Sequence, residues 1–180
     1  YVIKEIGGVK IAFVGLTTTK LSPRIPPENI DKLVFADPLA AAKKYVPLLK
    51  EQSDLVVVLS HLGLSQDKEL AKAVSDIDII IGGHDGKVLY DPVQAAKVLI
   101  LQAGDRGQYV GKLTLELDGQ KRISSYRNEL IPVDHEIYTP DPYVQGILKD
   151  YRAKERSGKI YSPDDRRKKL ILPLPQPSSR

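Results

Sequence analysis

Asp54-Leu55-Val56-Val57-Val58-Leu59-Ser60-His61-Leu62-Gly63 and Ile77-Asp78-Ile79-Ile80-Ile81-Gly82-Gly83-His84-Asp85-Gly86 decide the fold. Each is a short β-branched run that begins beside an aspartate and leaves through glycine and a histidine. Runs of this length without apolar-polar alternation are strands covered on both faces, the pattern of a parallel sheet flanked by helices. Between them, Asp67 to Val74 reads as a short helix, so the unit is strand, helix, strand. Adjacent parallel strands lie about 4.8 Å apart. His61 and His84 are therefore expected to converge at neighbouring strand ends.

Working outward, Val2 to Ile6 and Val9 to Leu16 flank Gly7-Gly8, a dipeptide that accepts positive φ at both central positions of a two-residue turn, which predicts a β-hairpin. From Thr17 to Pro27 the composition shifts to Thr, Ser and Pro, a loop at the strand's C-terminal end, where α/β sheets place ligand sites. Asp37-Pro38 opens a helix, since Asp caps free N–H groups and Pro is preset for the first helical position. Leu39, Ala42, Val46 and Leu49 share one face, and Pro47 is expected to kink the last turn. Downstream, Val98 to Gln102, Tyr109 to Leu117 and Lys121 to Leu130 read as strands, the last pair joined across Asp118-Gly119-Gln120. A final helix starts near Asp141-Pro142 and puts Val144, Ile147, Leu148 and Tyr151 on one face. The class is α/β, a mixed sheet with flanking helices, without a solenoid repeat.

At 180 residues and 42% hydrophobic, the chain can bury a substantial core. Nothing approaches the ~20 uncharged apolar residues of a membrane-spanning helix. The absence of Cys removes disulfides, thiolate zinc sites and cysteine nucleophiles. Met is absent too, so the chain begins at Tyr1 without an initiator, and a segment upstream is expected. The net charge of +4 is concentrated at one end: residues 151 to 180 carry +6 and the first 150 carry −2. A body of that balance offers no electrostatic footprint for nucleic acid. The stretch from 151 to 180 reads as the end of the final helix and a basic, proline-rich tail. Its Arg166-Arg167-Lys168-Lys169 run and prolines at 173, 175 and 177 predict an extended strap held by a carboxylate-bearing partner, the plainer reading being a solvated terminus.

His61 and His84 each sit against glycine at a strand end, where a neutral imidazole is a common metal ligand and glycine lets backbone approach closely. Taken singly, such a histidine is more often a hydrogen-bonded structural residue, and both readings stay open. Asp85 is able to ligate, to orient an imidazole, or simply to make a turn. His135, in a polar loop before Pro140, reads as a surface histidine.

The ordered set Gly8-Val9-Lys10-Ile11-Ala12-Phe13-Val14-Gly15-Leu16-Thr17-Thr18, Asp54 to Gly63, Ile77 to His84, Gln102-Ala103-Gly104 and Val110-Gly111-Lys112-Leu113 resembles the calcineurin-like metallophosphoesterase domain of bacterial 5′-nucleotidases over residues 1 to 150. The resemblance implies a four-layer α/β/β/α sandwich, a two-metal centre of divalent ions (Mn, Zn, Mg or Ca), hydrolysis of phosphate monoesters such as nucleotides, and a periplasmic or extracellular location. It implies that His61, of the Ser/Thr-His-x-Gly turn, and His84, the first histidine of the Gly-His-x-His or Gly-His-x-Gln turn, are metal ligands, with Asp85 a weaker candidate. No ligand role transfers to Thr17 or Thr18.

Two departures follow. The family's upstream Asp-x-His, Gly-Asp and Gly-Asn-His motifs have no counterpart here, and the second ligand position of the Gly-His-x-His turn falls on Gly86. The resemblance therefore implies the C-terminal half of the domain, with a centre completed by a missing N-terminal half or a separate partner chain. The nucleotide-recognising domain that follows in classical 5′-nucleotidases has no counterpart in the tail either. The isolated chain is expected to hydrolyse no phosphate ester at an enzymatic rate, and as a one-sheet unit it is expected to expose an apolar face. The alternative is a non-catalytic remnant of the fold acting as a structural or interaction subunit.

Overall fold

A computed structural model describes residues 1–20, 25, 30–134 and 136–157. His135, the strap with its Arg166 to Lys169 run, and part of the Thr17 to Pro27 loop lie outside the described residues. The described residues divide into two units, one within 1–134 and the other within 136–157.

In the first unit β1 (Val2–Ile6) and β2 (Val9–Thr17) form the expected hairpin, with Ile6 opposite Val9 and φ of 58° and 78° at Gly7 and Gly8. Helix α1 (Pro38–Lys50) follows, its first turn capped by the Asp37 carboxylate, which accepts from the Ala40 N–H at 2.7 Å. Pro47 lies inside a helix that runs on to Lys50, on its exposed side. Then come β3 (Leu55–His61), α2 (Leu64–Ala73), β4 (Ile79–Ile81), β5 (Val93–Ala95) and β6 (Val98–Leu101). The six strands form one mixed sheet in the order β1-β2-β3-β4-β6-β5, with β2, β3, β4 and β6 parallel and the edges antiparallel. Strand β5 is absent from the sequence reading. Its hairpin with β6 turns at Ala96, a non-glycine residue at φ 52°, so the composition carries no turn signal there.

Period-two alternation divides the sheet's side chains between two cores. On one face Val56, Val58, Ile80, Val98 and Ile100 meet Ala42, Val46 and Leu49 of α1 and Leu70 and Ala71 of α2. On the other, Val57, Ile79, Leu99 and Leu101 are buried with Leu113, Leu115 and Ile123 packed against them. Those last residues come from β7 (Tyr109–Leu117) and β8 (Ile123–Pro132), an antiparallel pair that forms a second sheet. The expectation of a one-sheet unit with a bare apolar face is corrected accordingly: the hairpin covers much of that face. Leu59 and Ile81, one step further toward the strand ends, stay about half exposed at 45% and 46%.

Strand β8 starts two residues later than the sequence predicts, because the Asp118 carboxylate accepts from the N–H groups of Gln120 and Arg122 and holds Lys121 in the turn at φ 60°. In the second unit α3 (Pro142–Arg156) begins as expected. The Asp141 carboxylate caps it by accepting from Tyr143 and Val144 N–H. Among the described residues no helix is long and apolar enough to cross a membrane.

Candidate metal centre

Strands β2 and β3 run in parallel register to their ends, Gly15 opposite Leu59 and Thr17 opposite His61. His61 follows Val57 and Leu59 on the face toward the second sheet, whereas Ser60 points to the helix side. Strand β4 pairs with β3 up to Ile81, so the turn Gly82-Gly83-His84 leaves the sheet beside Ser60-His61. The two imidazoles meet there. His84 Nδ1 lies 3.3 Å from His61 Nε2, with ring centroids 4.9 Å apart and ring planes at 79°.

His84 reaches this position at φ 86°, in the left-handed region that a residue with a Cβ avoids. Such conformations cost about 1–3 kcal/mol and persist where surrounding structure over-determines them. Gly63, between His61 and the start of α2, has φ 88°. A Cβ placed there would stand 3.6 Å from the His84 ring, which shows how closely the two turns approach.

Asp85 braces the turns. Its Oδ2 accepts from the Leu64 N–H at 3.1 Å, capping an α2 N-terminus that has no cap of its own. Its Oδ1 accepts from Gln102 Nε2 at 2.7 Å. Desolvation pushes the Asp85 carboxyl upward, but the hydrogen bonds from Gln102 and Leu64 outweigh it and hold the group below its ordinary range.

The sequence reading starts α2 at Asp67, but the helix begins three residues earlier, at Leu64. Asp67 thus lies one turn in and is fully buried. Its Oδ1 accepts a hydrogen bond from Ser60 Oγ, and burial pushes its carboxyl upward against that bond, with the charge of Asp85 adding to the rise. The sequence does not single out Ser60, Asp67 or Gln102 as site residues. An aspartate near an expected helix start is indistinguishable from a cap until the packing is known.

Gly86, the position that the resemblance gives to the second turn ligand, has no side chain to donate. It adopts φ 63°, and a Cβ there would meet Asp105 at 3.3 Å. Among the described residues no cluster of three or more His, Asp or Glu stands close enough to enclose an ion.

No protein-family model matches the chain. The 5′-nucleotidase of Vibrio vulnificus (strain CMCP6) is 32% identical over 159 residues, covering 71% of this chain and 28% of that protein. The crystal structure of a 5′-nucleotidase precursor from Thermus thermophilus superposes with a TM-score of 0.69 at 26% identity, covering 87% of this chain and 34% of that one. The chain belongs to the 5′-nucleotidase family of metallophosphoesterases. The Thermus thermophilus sulfate thiohydrolase SoxB, solved in complex with glycerol, is similar as well, with a TM-score of 0.79 at 25% identity over 87% of this chain and 29% of that one. The chain spans about a third or less of the length of these relatives. Full-length metallophosphoesterases use divalent metals.

Proposed function

We propose that this 5′-nucleotidase-family chain supplies two histidine ligands, His61 and His84, to a divalent-metal centre that hydrolyses phosphate monoesters such as nucleotides. The separation of 3.3 Å between His61 Nε2 and His84 Nδ1 carries the reading. Two nitrogens each about 2.0–2.1 Å from one tetrahedral ion stand about 3.4 Å apart, so the separation of the pair, a ring-to-ring hydrogen-bond contact without an ion, matches that of two donors on one ion. When bound, a divalent ion supplies Lewis acidity toward a phosphoryl oxygen.

What the chain's own residues do is orient. Asp85 ties the His84 turn to α2 and to Gln102, and Ser60 ties the His61 turn to Asp67. Asp85 has both oxygens engaged by protein donors, so in this reading it acts on the turn, and the imidazoles hold the ion. Two nitrogen donors do not complete a two-metal centre. The remaining ligands come from residues outside this chain, as an upstream half of the domain or a partner, and a periplasmic or extracellular location goes with the same reading.

Titration of the 180-residue chain with Mn²⁺, followed by broadening of histidine ring signals in NMR, tests it. Signals of His61 and His84 are expected to broaden together, with loss of the effect in His61→Ala and His84→Ala. Phosphate release from nucleotides by the chain alone is expected to stay at background. Broadening confined to His135, or none, removes the metal reading.

A further inference from the structure

Behind the imidazoles, on the helix side of the sheet, Asp67 is 0% exposed. Its Oδ1 accepts from Ser60 Oγ, and Ser60 Oγ in turn accepts from the Leu62 N–H at 3.2 Å, so this carboxylate anchors the turn that carries His61. Its Oδ2 has no hydrogen-bond partner and lies 2.6 Å from where a Cβ on Gly82 would sit. Gly82 opens the turn that carries His84, and its N–H donates to the Leu101 carbonyl at 2.7 Å. Gln102 Oε1, also buried without a partner, is 3.5 Å from the same Cβ position.

A buried carboxylate with an unsatisfied oxygen is costly, and an apolar residue at this point of α2 would avoid that cost. Stability alone therefore does not account for it. The carboxylate approaches both histidine-bearing turns from behind, one by a hydrogen bond and the other where a Cβ on Gly82 would come within 2.6 Å of Oδ2, so that a side chain there forces one of the two to shift.

We propose that Asp67 is a positioning residue that locks the Ser60-His61 turn to the Gly82-Gly83-His84 turn, so that the two imidazoles are held with His61 Nε2 and His84 Nδ1 3.3 Å apart. The inference rests on the metal-centre reading and deepens it. Two consequences distinguish it from a role in folding alone. Asn keeps the shape of the side chain and an acceptor oxygen for Ser60, so Asp67→Asn preserves the arrangement. Gly82→Ala attacks the same contact from the other turn, so its effect does not add to that of Asp67→Ala.

The test uses the 180-residue chain with ¹³C-labelled histidine, reading the inter-ring NOE between His61 and His84 and the Mn²⁺ concentration that broadens each ring. Wild type and Asp67→Asn are expected to show the NOE and Mn²⁺ midpoints within about threefold of each other. Asp67→Ala is expected to lose the NOE and to need at least about tenfold more Mn²⁺. Gly82→Ala should behave likewise, and the double variant no worse than either single one. An Asp67→Ala protein that keeps the NOE and a midpoint within about twofold of wild type overturns the proposal. If Asp67→Ala does not fold, Gly82→Ala decides on the same two readouts. Should wild type show the NOE but no Mn²⁺ broadening at either ring, the metal reading fails, while loss or retention of the NOE in the variants still decides the positioning role.

Discussion

Replacing Asp85 by Ala removes two hydrogen bonds that tie three elements together: the N-terminus of α2, the turn after β4, and Gln102 after β6. The two losses differ in size. Asp85 is solvent-exposed, so water reaches the Leu64 N–H when the carboxylate goes, and that loss falls at the low end of a helix cap, about 0.5 kcal/mol. Gln102 is 3% exposed and its Oε1 already lacks a partner, so its Nε2 becomes a second unsatisfied buried atom at about 1–2 kcal/mol. Together the loss is about 2 kcal/mol, or roughly 6–8 °C in Tm for a unit of this size. Urea denaturation followed by circular dichroism at pH 7, with m unchanged, measures it. The effect should also depend on pH. A carboxyl held below its ordinary value contributes stability that is present above about pH 3.9 and lost as pH falls through the folded value. The gap between wild type and Asp85→Ala should therefore close in strong acid. An Asp85→Ala protein within about 0.5 kcal/mol of wild type at pH 7 would refute the bracing role.

At φ 86°, His84 pays for its backbone, so His84→Gly is expected to be more stable than His84→Ala by about 1 kcal/mol, measured by thermal melts. Ile80→Ala should cost about 2–5 kcal/mol, because that side chain is 0% exposed, whereas Ile81→Ala at 46% exposure should cost under about 1 kcal/mol; equal losses in urea titration would contradict the assigned faces. Asp67 runs opposite to Asp85. Its folded value is raised above the unfolded one, so its contribution is complete below about pH 3.9 and is lost as pH rises through the folded value. Wild type should accordingly gain stability relative to Asp67→Asn on mild acidification, and parallel pH profiles for the two proteins would show that Asp67 does not titrate this way.

The parts of the fold legible in the sequence are those set by local chemistry. Gly7-Gly8 announces its hairpin, and Asp37-Pro38 and Asp141-Pro142 announce two helix starts whose carboxylates cap as expected. The β-branched runs 55–59 and 79–81 announce parallel strands. The histidines were legible because each follows such a run directly, and parallel pairing then brings neighbouring ends together. Strand β5 was not, since three residues turning at Ala96 carry neither length nor a glycine signal.

The sequence by itself determined which residues stand at the strand ends and which face they take, because period-two alternation forces His61 to one side of the sheet and Ser60 to the other. Only the tertiary structure decided what those side chains meet. Asp85 reaches Leu64 across 21 positions and Gln102 across 17, and the Oδ2 of Asp67 comes to rest under Gly82. The covering of Val57, Ile79 and Leu99 by β7 and β8 is of the same kind. Such contacts join segments whose local propensities are indifferent to one another, and they arise only when burial of apolar side chains on both faces of the sheet brings those segments into one place.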